Sequence, residues 1–116
     1  MIQTSYFKQP GLDPDDLRLV SIALWAPRGY RGRRYTALAP RREMLKMGEA
    51  PYREEYQKIL DSLDPAKVAK DLGPDAIMLC WERPGEFCHR RLVAEWLEKH
   101  LSQPVPEFDK KLFEWR

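Results

Sequence analysis

Two short apolar runs constrain this chain more than any other feature. Residues 19–25 read LVSIALW and residues 76–81 read AIMLCW, and turn-forming residues bound both. The first ends at Pro27; the second is entered through Gly73-Pro74-Asp75 and left through Arg83-Pro84-Gly85. Such runs are too short for a typical helix, and apolar side chains at successive positions fit a strand covered on both faces. Strands of that kind belong to parallel sheets, which need long and usually helical crossovers between neighbours.

The remaining segments supply those crossovers. In residues 51–63, Tyr52, Tyr56, Ile59, Leu60 and Leu63 recur at helical spacing among charged positions, which predicts a helix. Asp64-Pro65 opens a second, short helix with Asp64 as cap, Val68 and Leu72 facing inward, and Gly73 as the stop. The clearest stripe is Leu92, Val93, Trp96, Leu97 and Leu101, predicting a helix over residues 87–101. Residues 1–7 read as a first strand stopped by Gln9-Pro10-Gly11. Residues 12–17 read as a short acidic helix start, with Asp13 capping and Pro14 in the first helical position. This order predicts one α/β domain over residues 1–116. It would be a compact Rossmann-like three-layer fold, with a small, mainly parallel sheet flanked by helices. Residues 102–116 carry Phe108, Leu112, Phe113 and Trp115, a tail expected to pack on the domain or on a partner.

Composition sets the class. A hydrophobic fraction of 43% with 33% charged residues suits a globular chain and argues against disorder. No apolar run approaches the roughly 18–20 residues of a membrane span, and the N-terminus MIQTSYFKQP has no signal-peptide pattern. No membrane association is expected. Two cysteines are too few for a secreted disulfide scaffold, so a reducing cytoplasm is the expected compartment. The net charge is only +2, yet residues 26–42 hold six arginines and no acid. A patch of that kind suits an anionic partner, and is equally common as a solvated surface.

Ligands of open parallel sheets bind beyond the carboxyl ends of the strands. Applied here, that rule gathers Ser5 and Tyr6 after the first strand, Arg28 after the second, and Glu82 through Cys88 after the third. The segment Cys80-Trp81-Glu82-Arg83-Pro84-Gly85-Glu86-Phe87-Cys88-His89-Arg90 resembles the signature of the domain-of-unknown-function 488 family: a cysteine and an acid at a strand end, then a Cys-His-Arg triplet opening a helix. Thr4-Ser5-Tyr6-Phe7, Ser21-Ile22-Ala23, Pro27-Arg28-Gly29-Tyr30, Tyr35 with Leu38-Ala39-Pro40, and Leu92-Val93-Ala94-Glu95-Trp96-Leu97 are similar to its other blocks, in order, over about residues 1–101. The resemblance implies a Rossmann-like fold and a shared site of Cys80, Glu82, Cys88, His89 and Arg90. It implies no reaction.

The residues themselves suggest several roles. A cysteine at a helix N-terminus beside His89 and Arg90 is favoured as a thiolate, which makes Cys88 a candidate nucleophile or redox thiol. Cys80 is read as plain strand core or as a paired group: resolving thiol, disulfide partner or metal ligand. His89 is a candidate acid–base group near neutral pH, or a loop tie to a backbone carbonyl. Arg90 is a candidate anion clamp at the helix start, whereas Arg91 is expected at the surface. Glu82 reads as a general base or an arginine partner. Ser5 and Tyr6 are candidate ligand contacts. Arg28 and Tyr30, interleaved with glycines, suit a nucleotide or nucleic acid. Cys80, Glu82, Cys88 and His89 are zinc-type donors, but adjacent Cys and His at a helix start seldom face one ion and no Cys-x-x-Cys pair is present. No metal and no cofactor are therefore expected.

The leading expectation is an enzyme acting on a phosphate-bearing or other anionic substrate, such as a nucleotide or nucleic acid, at a Cys/His/Arg site. The alternatives are a non-catalytic nucleic-acid or nucleotide binding module and a Cys80/Cys88 thiol redox switch. Arg90 follows Cys88 too closely for a tyrosine-phosphatase loop.

Overall fold

The computed structural model of the protein describes residues 1–83 and 85–108. Its elements run in the order β1 (Gln3–Tyr6), β2 (Leu19–Ser21), β3 (Arg33–Arg34), α1 (Glu49–Asp61), α2 (Pro65–Leu72), β4 (Ile77–Cys80) and α3 (His89–Leu101). The four strands form one sheet in the order β1-β4-β2-β3, and every pairing is parallel. The apolar run at residues 76–81 thus becomes the buried strand β4. It lies between β1, with Tyr6 opposite Cys80, and β2, with Ser21 opposite Leu79. The α/β class and parallel sheet are those the sequence predicts. No helix among the described residues is long and apolar enough to cross a membrane.

Alternation along the strands sends successive side chains to opposite faces. Val20 and Met78 join one core with Tyr56 and Leu60 of α1, Val68 and Leu72 of α2, and Val93 and Leu97 of α3. All three helices therefore cover the same face. Leu19, Ile77 and Leu79 form a second cluster with Phe7, Leu12 and Phe108, so loop residues supply the third layer.

The ends of the helices follow local chemistry. The Asp64 carboxylate accepts from the Ala66 amide, with Pro65 in the first turn, and Gly73 closes α2 at a positive φ of 93° that an L side chain resists. The carbonyls of Asp71 and Leu72 accept from the Arg33 guanidinium, so β3 caps the end of α2.

Three expectations need correction. Residues 12–17 form turns instead of a helix: Asp13 does accept from the Asp15 amide, but the chain then bends at Asp16 to enter β2. The second strand spans Leu19–Ser21 only, because the chain turns toward Pro27 once Ser21 has paired. The arginine-rich stretch of residues 26–42, to which the sequence assigns no regular element, holds β3, whose residues pair with Val20 and Ser21.

Beyond α3 the chain returns to the sheet. The Thr4 amide donates to the Pro106 carbonyl, and the Phe108 amide donates to Thr4 at 2.7 Å, so residues 105–108 run beside β1. Leu112, Phe113 and Trp115 lie outside the described residues.

Candidate functional site

The carboxyl ends of β2 and β4 and the start of α3 converge on two cysteines and a histidine. β4 ends at Cys80, and Cys88 occupies the cap position of α3 in an extended conformation (φ −149°, ψ 142°). The connecting loop doubles back, so that the two sulfurs meet and are joined as a disulfide. Both are buried, Cys80 to 1% and Cys88 to 4% exposure.

His89, the first residue of α3, is buried beside them. Its Nε2 lies 2.7 Å from the Ile22 carbonyl oxygen, and a carbonyl only accepts, so Nε2 carries the proton. Nδ1 is then an unprotonated lone pair, 3.9 Å from Cys88 Sγ. Burial lowers the imidazole pKa to about 4; the bond to Ile22 opposes the shift and the positive Arg90 adds to it. This corrects the expectation of an acid–base group near neutral pH. His89 is a fixed neutral ring, edge-on to Tyr56 at 5.4 Å.

Arg90 also departs from its expected role. It is 1% exposed and turned inward. Its Nε and Nη2 donate to the Glu107 carboxylate, Nη2 at 2.8 Å. Nη1 donates to Cys80 Sγ at 2.9 Å and, in a short bond, to the Glu82 carbonyl. An anion arriving from solvent finds this guanidinium already engaged. Arg90 instead ties the strand end, the loop and the tail together. Arg91, expected at the surface, donates to Thr4 Oγ1 and to the Val105 carbonyl, both at 2.9 Å.

A pocket of about 210 Å³ opens over the cysteine pair. Its wall is largely apolar and aromatic, including Leu24, Trp25, Met44, Tyr52, Trp81 and Phe87. Trp81 Nε1 donates to the Trp25 carbonyl at 2.8 Å, so the two half-exposed indoles are tied at its rim. Among the described residues, Glu82 is its one acidic lining residue and no lysine or arginine lines it. Burial first, then the negative charge of Glu82, raises the Tyr52 phenol well above its ordinary pKa.

The other expected site residues lie elsewhere. Ser5 alternates with Thr4 and Tyr6, pairs beside Leu79, and so points to the face opposite Cys80. It is 2% exposed, and its hydroxyl has no hydrogen-bond partner among the described residues. Tyr6 lines a separate depression with Lys8, Trp81 and Arg83. Arg28 and Tyr30 line a second pocket, also about 210 Å³, with Phe7, Leu19 and Leu79 on the loop-covered face. The structure thus brings Cys80, Glu82, Cys88 and His89 together and leaves Ser5, Tyr6, Arg28 and Tyr30 outside.

Sequence reasoning missed Glu107, the partner of Arg90. Its segment reads only as an apolar tail expected to pack on the domain or on a partner. It also missed Tyr52 and Phe87 as pocket walls, whose rings meet edge-on at 5.3 Å, because helical periodicity marks Tyr52 simply as core and Phe87 belongs to no apolar stripe.

These features define a class of site: a buried two-cysteine, one-histidine cluster beneath an aromatic pocket, at the carboxyl edge of a small parallel sheet. Comparisons with protein-family models, curated proteins and solved structures find no match for this chain.

Proposed function

We propose that the chain is a thiol–disulfide redox protein, in which Cys88 and Cys80 cycle between dithiol and disulfide beneath the aromatic pocket. The observation that carries this reading is the meeting of two sulfurs, 8 residues apart in sequence, at the floor of an open pocket. Cys88 is the attacking thiol: it is the more exposed of the two and sits at the N-terminus of a helix of 13 residues, where negative charge on sulfur is favoured. Cys80 is the resolving thiol, its sulfur accepting a hydrogen bond from Arg90.

The exchange balances with an external disulfide as oxidant. The Cys88 thiolate attacks one sulfur of that disulfide, forms a mixed disulfide and expels the first external thiolate. Cys80 then attacks Cys88 Sγ and expels the second. Two electrons and two protons leave the pair, and two external thiols form. A reversible pair of this kind fits the reducing compartment expected from the cysteine content, where lasting disulfides are rare and transient ones regulatory or catalytic. We also propose membership of the domain-of-unknown-function 488 family. Its support is the placement of the resembling residues, with Cys80 ending β4 and Cys88-His89-Arg90 opening α3.

The test is equilibration in dithiol/disulfide buffers, followed by trapping of free thiols and mass spectrometry. One cooperative two-thiol transition in the wild type is expected, with a mixed disulfide accumulating on Cys88 in Cys80→Ser. Two independently titrating thiols, or labelling only after unfolding, would remove the proposal.

A second reading concerns the other pocket. Arg28 is exposed at its wall and makes no hydrogen bond or ion pair among the described residues, whereas Arg31, Arg33 and Arg41 all have partners. Beside Tyr30 and Phe7, this free cation suits binding of a nucleotide or nucleic acid, independently of the cysteines.

A further inference from the structure

We infer that in the reduced protein Cys80, Cys88 and His89 form a site for a thiophilic divalent metal ion of the zinc class, with one coordination position open to the pocket. The inference deepens the redox reading, since the same two sulfurs serve both, and it rests on the convergence of three donors. Cys80 Sγ, Cys88 Sγ and one ring nitrogen of His89 all lie within 4.8 Å of one another, and all three residues are buried. With Zn–S near 2.3 Å and Zn–N near 2.0–2.1 Å, tetrahedral ligands stand about 3.5–3.8 Å apart. Cys88 Sγ and His89 Nδ1, at 3.9 Å, are already close to that separation.

The sequence-based objection was that adjacent Cys and His at a helix start seldom face one ion. It fails here because Cys88 is extended and His89 helical, so the break in backbone conformation turns both side chains to the same point. The imidazole is presented as a ligand should be: Nε2–H is held by the Ile22 carbonyl and Nδ1 is left free, the supporting arrangement found around metal-bound histidines. Arg90 Nη1 donates to Cys80 Sγ in the corresponding way for a thiolate.

Spacing and charge agree. The α-carbons of Cys80 and Cys88 stand 7.4 Å apart. Disulfide-bonded pairs usually span about 4.4–6.8 Å, so this backbone leaves room for an ion between two separated sulfurs. Two thiolates and one neutral imidazole neutralise a divalent cation, which suits an interior where an unpaired charge is costly. Three protein ligands with a pocket above them is the pattern of a zinc site that keeps a place for water or another small ligand. Filling the site requires a dithiol reductant, which gives two electrons and two protons to the disulfide and leaves oxidised itself. The ion then displaces the two thiol protons. Oxidation of the pair expels the ion.

The test uses the full chain, reduced and freed of reductant, titrated with cobalt(II) as a spectroscopic stand-in for zinc. Thiolate-to-cobalt charge-transfer absorption and intense tetrahedral d–d bands should saturate at one equivalent and vanish on addition of zinc. Protein oxidised beforehand should show neither. Cys80→Ser, Cys88→Ser and His89→Gln, checked for folding by near-UV circular dichroism, should each weaken binding by more than the about 10–100-fold that loss of a supporting hydrogen bond costs. Folded, reduced wild type with no charge-transfer band overturns the metal site, whatever the variants do. If the thiols still cycle cooperatively, the redox reading stands alone. If instead cobalt binds and no oxidant closes the disulfide, the redox reading falls and the metal site remains.

Discussion

The pocket over the cysteines and the pocket at Arg28 lie on opposite faces of one sheet, are about equal in volume, and differ in almost every other respect. Around the cysteines, polar groups are buried or half-buried and assigned: Arg90 to Glu107, Cys80 and Glu82, His89 to Ile22, and Arg91 to Thr4 and Val105. Around Arg28 the cations are exposed; of the two arginines at the pocket wall, Arg31 pairs with Asp15 and Arg28 has no partner among the described residues. The sequence invites a single site made of both, with arginines serving a reactive cysteine. The folded chain separates them, so formal charge in a sequence says little about which pocket it serves.

The comparison is broken most severely at Arg90. Arg90→Met keeps apolar volume but leaves the Glu107 carboxylate without its counter-charge, with only the Thr4 hydroxyl among the described residues still donating to it, and removes the Arg90 donor from the Glu82 carbonyl. Breaking a buried ion pair from one side costs about 3–5 kcal/mol, and the partial exposure of Glu107, 29%, favours the lower end. Urea denaturation should show that loss. A change below about 1 kcal/mol would mean that residues 105–108 are not held to the sheet through this pair.

The next effect belongs to His89 and has a definite sign. Its folded pKa, about 4, lies below the ordinary 6.5, so between these values the unfolded chain binds the proton that the folded chain refuses. The stabilisation is complete above pH 6.5, falls as the pH drops, and is exhausted near pH 4. It amounts to something on the order of 3 kcal/mol for this 6%-exposed ring. Stability of chelator-treated wild type, measured against pH and compared with His89→Gln, isolates it from the carboxylates. Parallel curves for the two proteins would contradict the assignment.

A smaller contrast tests the same division with tyrosines. Tyr56 is fully buried and donates to the Leu38 carbonyl at 2.6 Å, whereas the Tyr30 hydroxyl donates to the Arg33 carbonyl at 2.8 Å in an exposed bond. Tyr56→Phe strands a buried carbonyl and should cost about 1–2 kcal/mol. Tyr30→Phe, where water replaces the lost donor, should stay within about 0.5 kcal/mol. Equal losses by thermal melts would show that burial does not separate the two faces.

Much of this architecture is legible without coordinates, for local reasons. Apolar runs bounded by turns mark β2 and β4, helical periodicity marks α1 and α3, and Asp64-Pro65 with Gly73 brackets α2, because in each case the signal lies within the element. The cysteine centre is legible in part: the rule for strand ends places Cys80, Glu82, Cys88 and His89 in one neighbourhood. What is hidden depends on distant partners. Arg90 reads as a clamp because Glu107, 17 residues away, contributes no local pattern. Ser5 reads as a ligand contact because its face depends on its register with Leu79, which only the folded sheet sets. His89 reads equally as an acid–base group or as a tie to a backbone carbonyl, and the second is found, at Ile22, because burial, and not sequence, decides its charge.

The mildest change sharpens the other side of the comparison. Arg28 is exposed and has no partner among the described residues, so Arg28→Ala should leave stability within about 0.5 kcal/mol of wild type. Its consequence belongs to binding. With a short single-stranded oligonucleotide as probe, wild-type affinity should fall steeply with salt, and Arg28→Ala should lower the slope of log affinity against log salt by about 1 for the one phosphate contact removed. Cys88→Ser, on the opposite face, should leave that slope unchanged. If the cysteine change alters it as much as the arginine change does, the two pockets act as one site and the separation drawn from the sheet is wrong. If neither variant moves it, the arginines of residues 28–34 are a solvated surface and the protein's chemistry lies at the cysteines alone.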